Sequence, residues 1–310
     1  MTWRAVYHGD GKARETKIPP APPWREFPRQ PLGEIFQPPD GLVEAVNAAV
    51  CLRRPLLITG APGSGKSAVI ESVAAELRLG RVLRWHITSR STLTEALYRY
   101  DALGRIHAQQ LAATTGTQPA EDIGPFLQLG PLGTALLPSK RPRPMLIDEI
   151  DKSDLDLPSD LLDVLERGEF EIPELARHDR AEVAVREWGS DARPTVVRGR
   201  IQCTEFPFIV MTSNGERDFP GPFLRRCIRF VMPQPTVEML SRVVHAHLTS
   251  PPDAEAMQLI QSFVDRVRSG ESLAVDQLLN TVFLLRGTDT PKDATRKQLR
   301  ELLLRELSRV

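Results

Sequence analysis

PLLITGAPGSGKS, residues 55–67, is the stretch whose reading decides the fold. Its first part, PLLIT at 55–59, is a short apolar run ending at a glycine, which predicts a buried parallel strand. Its second part, GAPGSGKS at 60–67, fits G-x-x-x-x-G-K-[ST]. From Ser67 to Leu79 the pattern is helical and stops at Gly80. Strand, glycine-rich loop and helix in that order are the context a phosphate-binding loop requires. Glycines let backbone N–H groups point inward at phosphate oxygens, and the helix start adds its positive dipole end. This reading assigns Gly60, Ala61, Pro62, Gly63, Ser64, Gly65, Lys66 and Ser67 to ATP. Lys66 falls to the β- and γ-phosphates, and the Ser67 hydroxyl to Mg²⁺.

Working outward, Asp40 is the expected N-cap of the helix GLVEAVNAAVCLRR. RVLRWHIT (81–88) predicts a second strand, followed by the helix STLTEALYRYDAL; residues 109–124 are polar and weakly patterned. PMLIDEI (144–150) predicts a third strand, leading into the helix LPSDLLDVLERGE. Residues 169–203 form a charged insertion in which EFEI and TVVRGRIQ suggest a hairpin, and FPFIVMTSN (206–214) predicts a fourth strand. Alternating strands and helices indicate an α/β fold, a parallel P-loop NTPase sheet sandwiched by helices. Residues 1–40 hold eight prolines and read as an extended arm, with Trp24, Phe27 and Phe36 as anchors on a folded surface or a neighbouring subunit. A nucleotide-binding domain then spans 41–235. After VMPQP (231–235) only helical periodicity remains, so 236–310 is expected to be a small all-helical lid domain.

The other candidate groups lie where the strands end. In MLIDEID (145–151) the acids appear only at the carboxyl end of the strand, where open α/β sheets bind ligands. Asp148 is placed to hold Mg²⁺, and Glu149 to orient and activate a water. Asn214, ending IVMTSN, offers an amide to the γ-phosphate and the water nucleophile. Arg225 and Arg226 follow PGPFL, and a guanidinium there stabilises charge on a transferring phosphoryl group.

Composition narrows the function class. The 40 basic and 40 acidic residues cancel, which argues against a polybasic nucleic-acid binder. No apolar run approaches the ~20 residues needed to cross a bilayer, and the first residues lack a secretory h-region. Cys51, Cys203 and Cys227 are scattered without CxxC spacing, as expected of a reduced, cytoplasmic protein. His86, His107, His178, His245 and His247 show no ligand spacing and read as surface or packing residues.

Over residues 41–310 the chain resembles AAA+ ATPases, and within them the MoxR family. GAPGSGKS resembles the family's Walker A and MLIDEID its Walker B. TSN is similar to sensor 1, with Asn214 in the sensor position. DLLDVLERGEFEI is similar to the helix and hairpin after Walker B, and GPLGTALLP (130–138) to the segment before it. PFLRRC is similar to the arginine-finger segment, with Arg226 in the finger's place and Arg225 in that of its aspartate. The resemblance implies a homo-oligomeric ring, usually hexameric, in which one subunit's arginine completes its neighbour's ATP site. It also implies remodelling of a protein client, often with a von Willebrand A domain partner. One stretch departs: AVDQLL (274–279) puts Asp276 where the family carries a sensor 2 arginine, so either the lid aligns differently or that contact is missing. Two readings compete with the remodeller: a weakly hydrolysing, nucleotide-gated scaffold, and a nucleic-acid-linked NTPase resembling McrB. A small-molecule kinase has no use for Asn214 and Arg226.

Overall fold

The computed structural model describes residues 6–27, 36–115, 122–286, 293–305 and 307. Two compact units are present: Gly41–Thr59 with Val73–Phe230, and Met1–Asp40 with Gly60–Ser72 and Val231–Val310.

The first unit is built on a sheet. In chain order come α1 (Leu42–Leu52), β1 (Leu56–Thr59), α2 (Ala68–Glu76), β2 (Leu83–His86), α3 (Leu93–Leu97), β3 (Tyr98–Tyr100) and α4 (Ala102–Thr115). They are followed by β4 (Leu127–Leu129), α5 (Pro131–Ala135), β5 (Pro144–Asp148), α6 (Leu157–Arg167), β6 (Glu169–Glu171) and α7 (Pro173–Ala176). The series ends with β7 (Glu182–Ala184), β8 (Thr195–Val197), β9 (Arg200–Gln202), β10 (Phe208–Ser213), α8 (Gly221–Arg226) and β11 (Ile228–Val231). The main sheet runs β11-β1-β10-β5-β2, and β1/β10, β10/β5 and β5/β2 pair in parallel. Sequence explains the order. FIVMTS of β10 is buried at every residue, as a central parallel strand must be, whereas β2 and β11 alternate as edge strands do. The α/β layering predicted from the alternating pattern is therefore present, and all three pairings carry their carboxyl ends to one side.

Several expected elements differ. The first helix begins after Gly41, at φ 80°, with no side-chain cap, so Asp40 is not the N-cap. The helix expected over 91–103 stops at Leu97, because Tyr98–Tyr100 pairs antiparallel with Leu127–Leu129. A separate helix, α4, then runs through the start of the stretch read as weakly structured; 116–121 lie outside the described residues. The insertion is more than a hairpin. Its four short strands form an antiparallel sheet ordered β6-β9-β8-β7, with Phe170 opposite Ile201 and Val183 opposite Val196. β11 was not among the expected strands, since four residues with alternating burial give too short a period to set apart from their surroundings.

The second unit contains α9 (Val237–Leu248), α10 (Ala254–Arg268), α11 (Val275–Leu285) and α12 (Asp293–Leu303). Thr236 and Asp253 cap α9 and α10 by accepting from Met239 N and Ala256 N. Leu240, Val244, Ile260, Phe263, Val264, Leu278 and Val282 bury the shared apolar stripes. The arm anchors here through Trp24, whose indole donates to Asn280 Oδ1 at 3.0 Å and meets Phe283 edge-on. Phe27 is exposed. No described helix is long and apolar enough to cross a membrane.

Candidate active site

The loop Gly60–Ser67 leaves β1 directly and enters α2 one residue later. Lys66 is buried, and its Nζ donates to Gly60 O and Ala61 O at 2.8 Å each, folding the loop around the ammonium. The Ser64 hydroxyl oxygen is buried with no hydrogen-bond partner among the described residues. The N–H groups of Gly63 and Gly65 likewise enter no backbone hydrogen bond there. Orphaned donors along a glycine loop are what a phosphate would satisfy, so the residues fit that group.

Gly63 has a second constraint. Its φ is +70°, and an ideal Cβ would lie 2.2 Å from the Ala274 Cβ at the start of α11. Val275 N donates back to Gly63 O at 3.3 Å. Within this one unit the loop thus abuts the start of α11 at the stretch AVDQLL, where Ala274 offers no capping acceptor and Gln277 Oε1 takes its N–H instead. Asp276 is exposed in the first turn of α11. Phe36 of the arm also reaches this loop, 3.8 Å from the Cβ position of Gly65.

The acids stand at the carboxyl ends of β5 and β10. Asp148 Oδ1 accepts from Thr212 Oγ1 at 2.6 Å, and the same hydroxyl oxygen accepts from Glu149 N at 2.9 Å. One buried threonine therefore fixes both acids. Glu149 sits at φ 59°, ψ 49°, a left-handed conformation uncommon for a non-glycine residue, so its side chain departs from the strand's alternation. Its Oε1 accepts from Asn214 Nδ2 at 3.4 Å and its Oε2 from Lys152 Nζ at 2.9 Å. The bond to Glu149 holds the Lys152 pKa above its ordinary range, against a smaller opposing effect of desolvation. His86 Nε2 lies 3.8 Å from the same Oε2. Asn214 is held in turn by Asp151, a buried acid whose Oδ2 accepts from Asn214 N at 2.8 Å and Glu216 N at 3.2 Å.

The arginine pair ends α8. Arg226 Nε is paired with Glu166 of α6, and its Nη1 donates to Pro222 O at 3.1 Å. Arg225 is exposed; its carbonyl accepts from Arg54, while its guanidinium makes no hydrogen bond or ion pair among the described residues. Among the described residues, then, no hydrogen bond or ion pair joins Arg225 or Arg226 to Asp148, Glu149 or Asn214.

A family model described as AAA domain (dynein-related subfamily) matches residues 55–221, which span the phosphate loop, both acids and Asn214. The chain belongs to this AAA family. ATP binding is the property common to the family. Among solved structures it is similar in fold to domain III of the Thermotoga maritima replication initiation protein DnaA, at 13% identity and TM-score 0.45 over 88% of this chain and 96% of that one. It is also similar to Thermotoga maritima RuvB, at 14% identity and TM-score 0.43, covering 84% of this chain and 66% of that one. Brucella abortus NtrX in complex with ADP matches at 15% identity and TM-score 0.43, covering 87% of this chain and 55% of that one. The chain thus spans about half the length of the NtrX chain. No curated protein matches it.

Four residues of the AAA chain's acidic cluster escaped the sequence reading. Thr212 and Asp151 could have been suspected, as polar residues at the ends of otherwise apolar runs, but sequence does not show that they face each other's strands. Lys152 lies three residues after Glu149, within reach on a single helical turn. His86, read as a surface or packing residue, is beside Glu149 because β2 pairs with β5 in a register that sets His86 opposite Asp148.

Proposed function

We propose that this AAA chain hydrolyses ATP at a site completed by a second copy of itself, and that it uses the cycle to remodel a protein partner as MoxR-like proteins do. Lys66 and the loop N–H groups bind the phosphates. Ser67 and Asp148 are hard oxygen donors suited to Mg²⁺, which would neutralise charge on the phosphates. Glu149 takes the proton of the attacking water, and Asn214 holds that carboxylate and the water in line. A neighbour's Arg226, freed from Glu166, supplies the guanidinium. The reading includes a cytoplasmic location, a homo-oligomeric ring, usually hexameric in such families, and a protein client, with a von Willebrand A domain protein as candidate. It treats 41–235 as the nucleotide domain and 236–310 as its lid.

The observation that carries the proposal is Glu149: a carboxylate turned off its strand by a left-handed backbone and met by the Asn214 amide. A structural acid would gain nothing from that strain. Glu149→Gln should leave ATP bound but uncleaved, whereas Lys66→Ala should abolish binding. Full turnover by Glu149→Gln would refute the assignment.

A weakly hydrolysing scaffold is the second reading, and two observations favour it: Lys152 occupies Glu149 Oε2, and Asp276 stands where the resembling family has an arginine. In that case wild type and Glu149→Gln would turn over equally slowly. A nucleic-acid-linked motor would instead show turnover stimulated by DNA.

A further inference from the structure

At the opposite end of the sheet from Glu149, where β2 and β5 begin, lies a cavity of ≈ 420 Å³. Its wall comes from the segment before β2, the segment before β5, helix α5 and the turn around Trp188 in the insertion sheet. Arg81, Lys140, Arg141 and Arg143 line it, against a single acid, Glu187.

The three arginines are held by hydrogen bonds or an ion pair, whereas Lys140 is not. Arg141 Nη1 donates to Leu77 O and Arg78 O at 3.3 and 3.2 Å, capping the turn after α2. The Arg81 guanidinium donates to Gly189 O, and a Cβ on Gly189 would lie 2.5 Å from Arg81 Nη2, so the turn is shaped to receive it. Arg143 Nη1 is 3.6 Å from Glu187 Oε2, which uses up the only acid. Its Nε is buried with no hydrogen-bond partner among the described residues. Lys140 is exposed and forms no ion pair there. Thr134 adds a hydroxyl at 1% exposure; it accepts from Trp188 N at 2.9 Å and donates to no described residue. The lining thus carries four cations against one acid, and among the described residues the Arg143 Nε–H and the Thr134 hydroxyl have no acceptor.

We propose that this cavity binds a small phosphorylated anion, with oxygens on Arg143, Thr134 and Lys140 and the Trp188 ring as a side wall. A lone carboxylate carries one charge and two oxygens, too few for these donors, whereas a phosphate group offers up to two charges and three terminal oxygens. The volume lies within the range of small-ligand pockets. The site is separate from the Lys66 loop and does not depend on ATP hydrolysis.

Inorganic pyrophosphate titrated calorimetrically into Lys66→Ala protein tests it, since that background removes the loop's own phosphate grip. Saturable binding is expected, weakened about tenfold or more by Lys140→Gln with Arg143→Gln, and severalfold by Lys140→Gln alone. The single variant removes an exposed, unpaired side chain, so it keeps the fold and decides the matter if the double variant does not. Absence of binding to Lys66→Ala, or equal affinity in Lys140→Gln, would overturn the proposal.

Discussion

Gly63 is the residue at which sequence and packing make the same demand for different reasons. The motif requires glycine so that N–H groups face phosphate; the fold requires it because Ala274 stands 2.2 Å from any Cβ. Gly63→Ala is therefore expected to displace either the loop or the start of α11, and to weaken ATP binding by about an order of magnitude or more. Titration with a fluorescent ATP analogue checks this; unchanged affinity would show that the loop relaxes freely. Thr212→Val removes the hydroxyl that serves Asp148 and Glu149 N together, leaving the half-buried Glu149 N–H without that acceptor at a cost of up to about 1 kcal/mol. Thermal denaturation should show that loss, and turnover should fall with it. Lys152→Met frees Glu149 Oε2 from its ion pair; because such half-exposed pairs are worth about 0.2–1 kcal/mol, basal turnover is expected to rise no more than about fivefold. The loop and the acid pair were legible because each is a local pattern. Thr212, Asp151 and His86 were not, because their importance comes from which strand end lies across from them.

Among the elements, the buried strands were the easiest to read and the short exposed ones the hardest. LLIT, PMLID and FIVMTS are continuous apolar runs, which only central parallel strands tolerate. By contrast, Tyr98–Tyr100 continues a helical-looking pattern and becomes a strand only because Leu127–Leu129 is present to pair with it. Three-residue strands in the insertion give too few alternations to set a period. In the helical unit, the arm's Trp24 packs edge-on to Phe283 and His247, a contact that neither the proline content nor the spacing reveals. Burial holds the His247 pKa below its ordinary 6.5. The folded state thus resists protonation that the unfolded chain accepts, so stability is greatest above that value and is lost as pH falls through it. The thermal midpoint should drop between pH 7.5 and 5.5 by more in wild type than in His247→Phe. An equal drop in both would remove His247 from the account.

At the scale of the whole molecule, Arg226 is the residue on which a shared site turns. In one chain it is tied to Glu166, on the helix after the acid pair, and among the described residues no hydrogen bond or ion pair joins it to Glu149. Guanidinium chemistry singled out the pair Arg225 and Arg226, resemblance put Arg226 in the finger's place, and a site shared between copies cannot be read from the periodicity of one. Arg226→Ala should spare ATP binding and lower turnover by about 10³-fold or more. The most direct measurement mixes two inactive variants, Lys66→Ala and Arg226→Ala, and follows ATP turnover. A site built from two chains predicts that the mixture recovers activity, up to about a quarter of the wild-type rate for random pairing of copies. A mixture as inactive as its components, or a wild-type monomer that cleaves ATP at full specific rate, would contradict it.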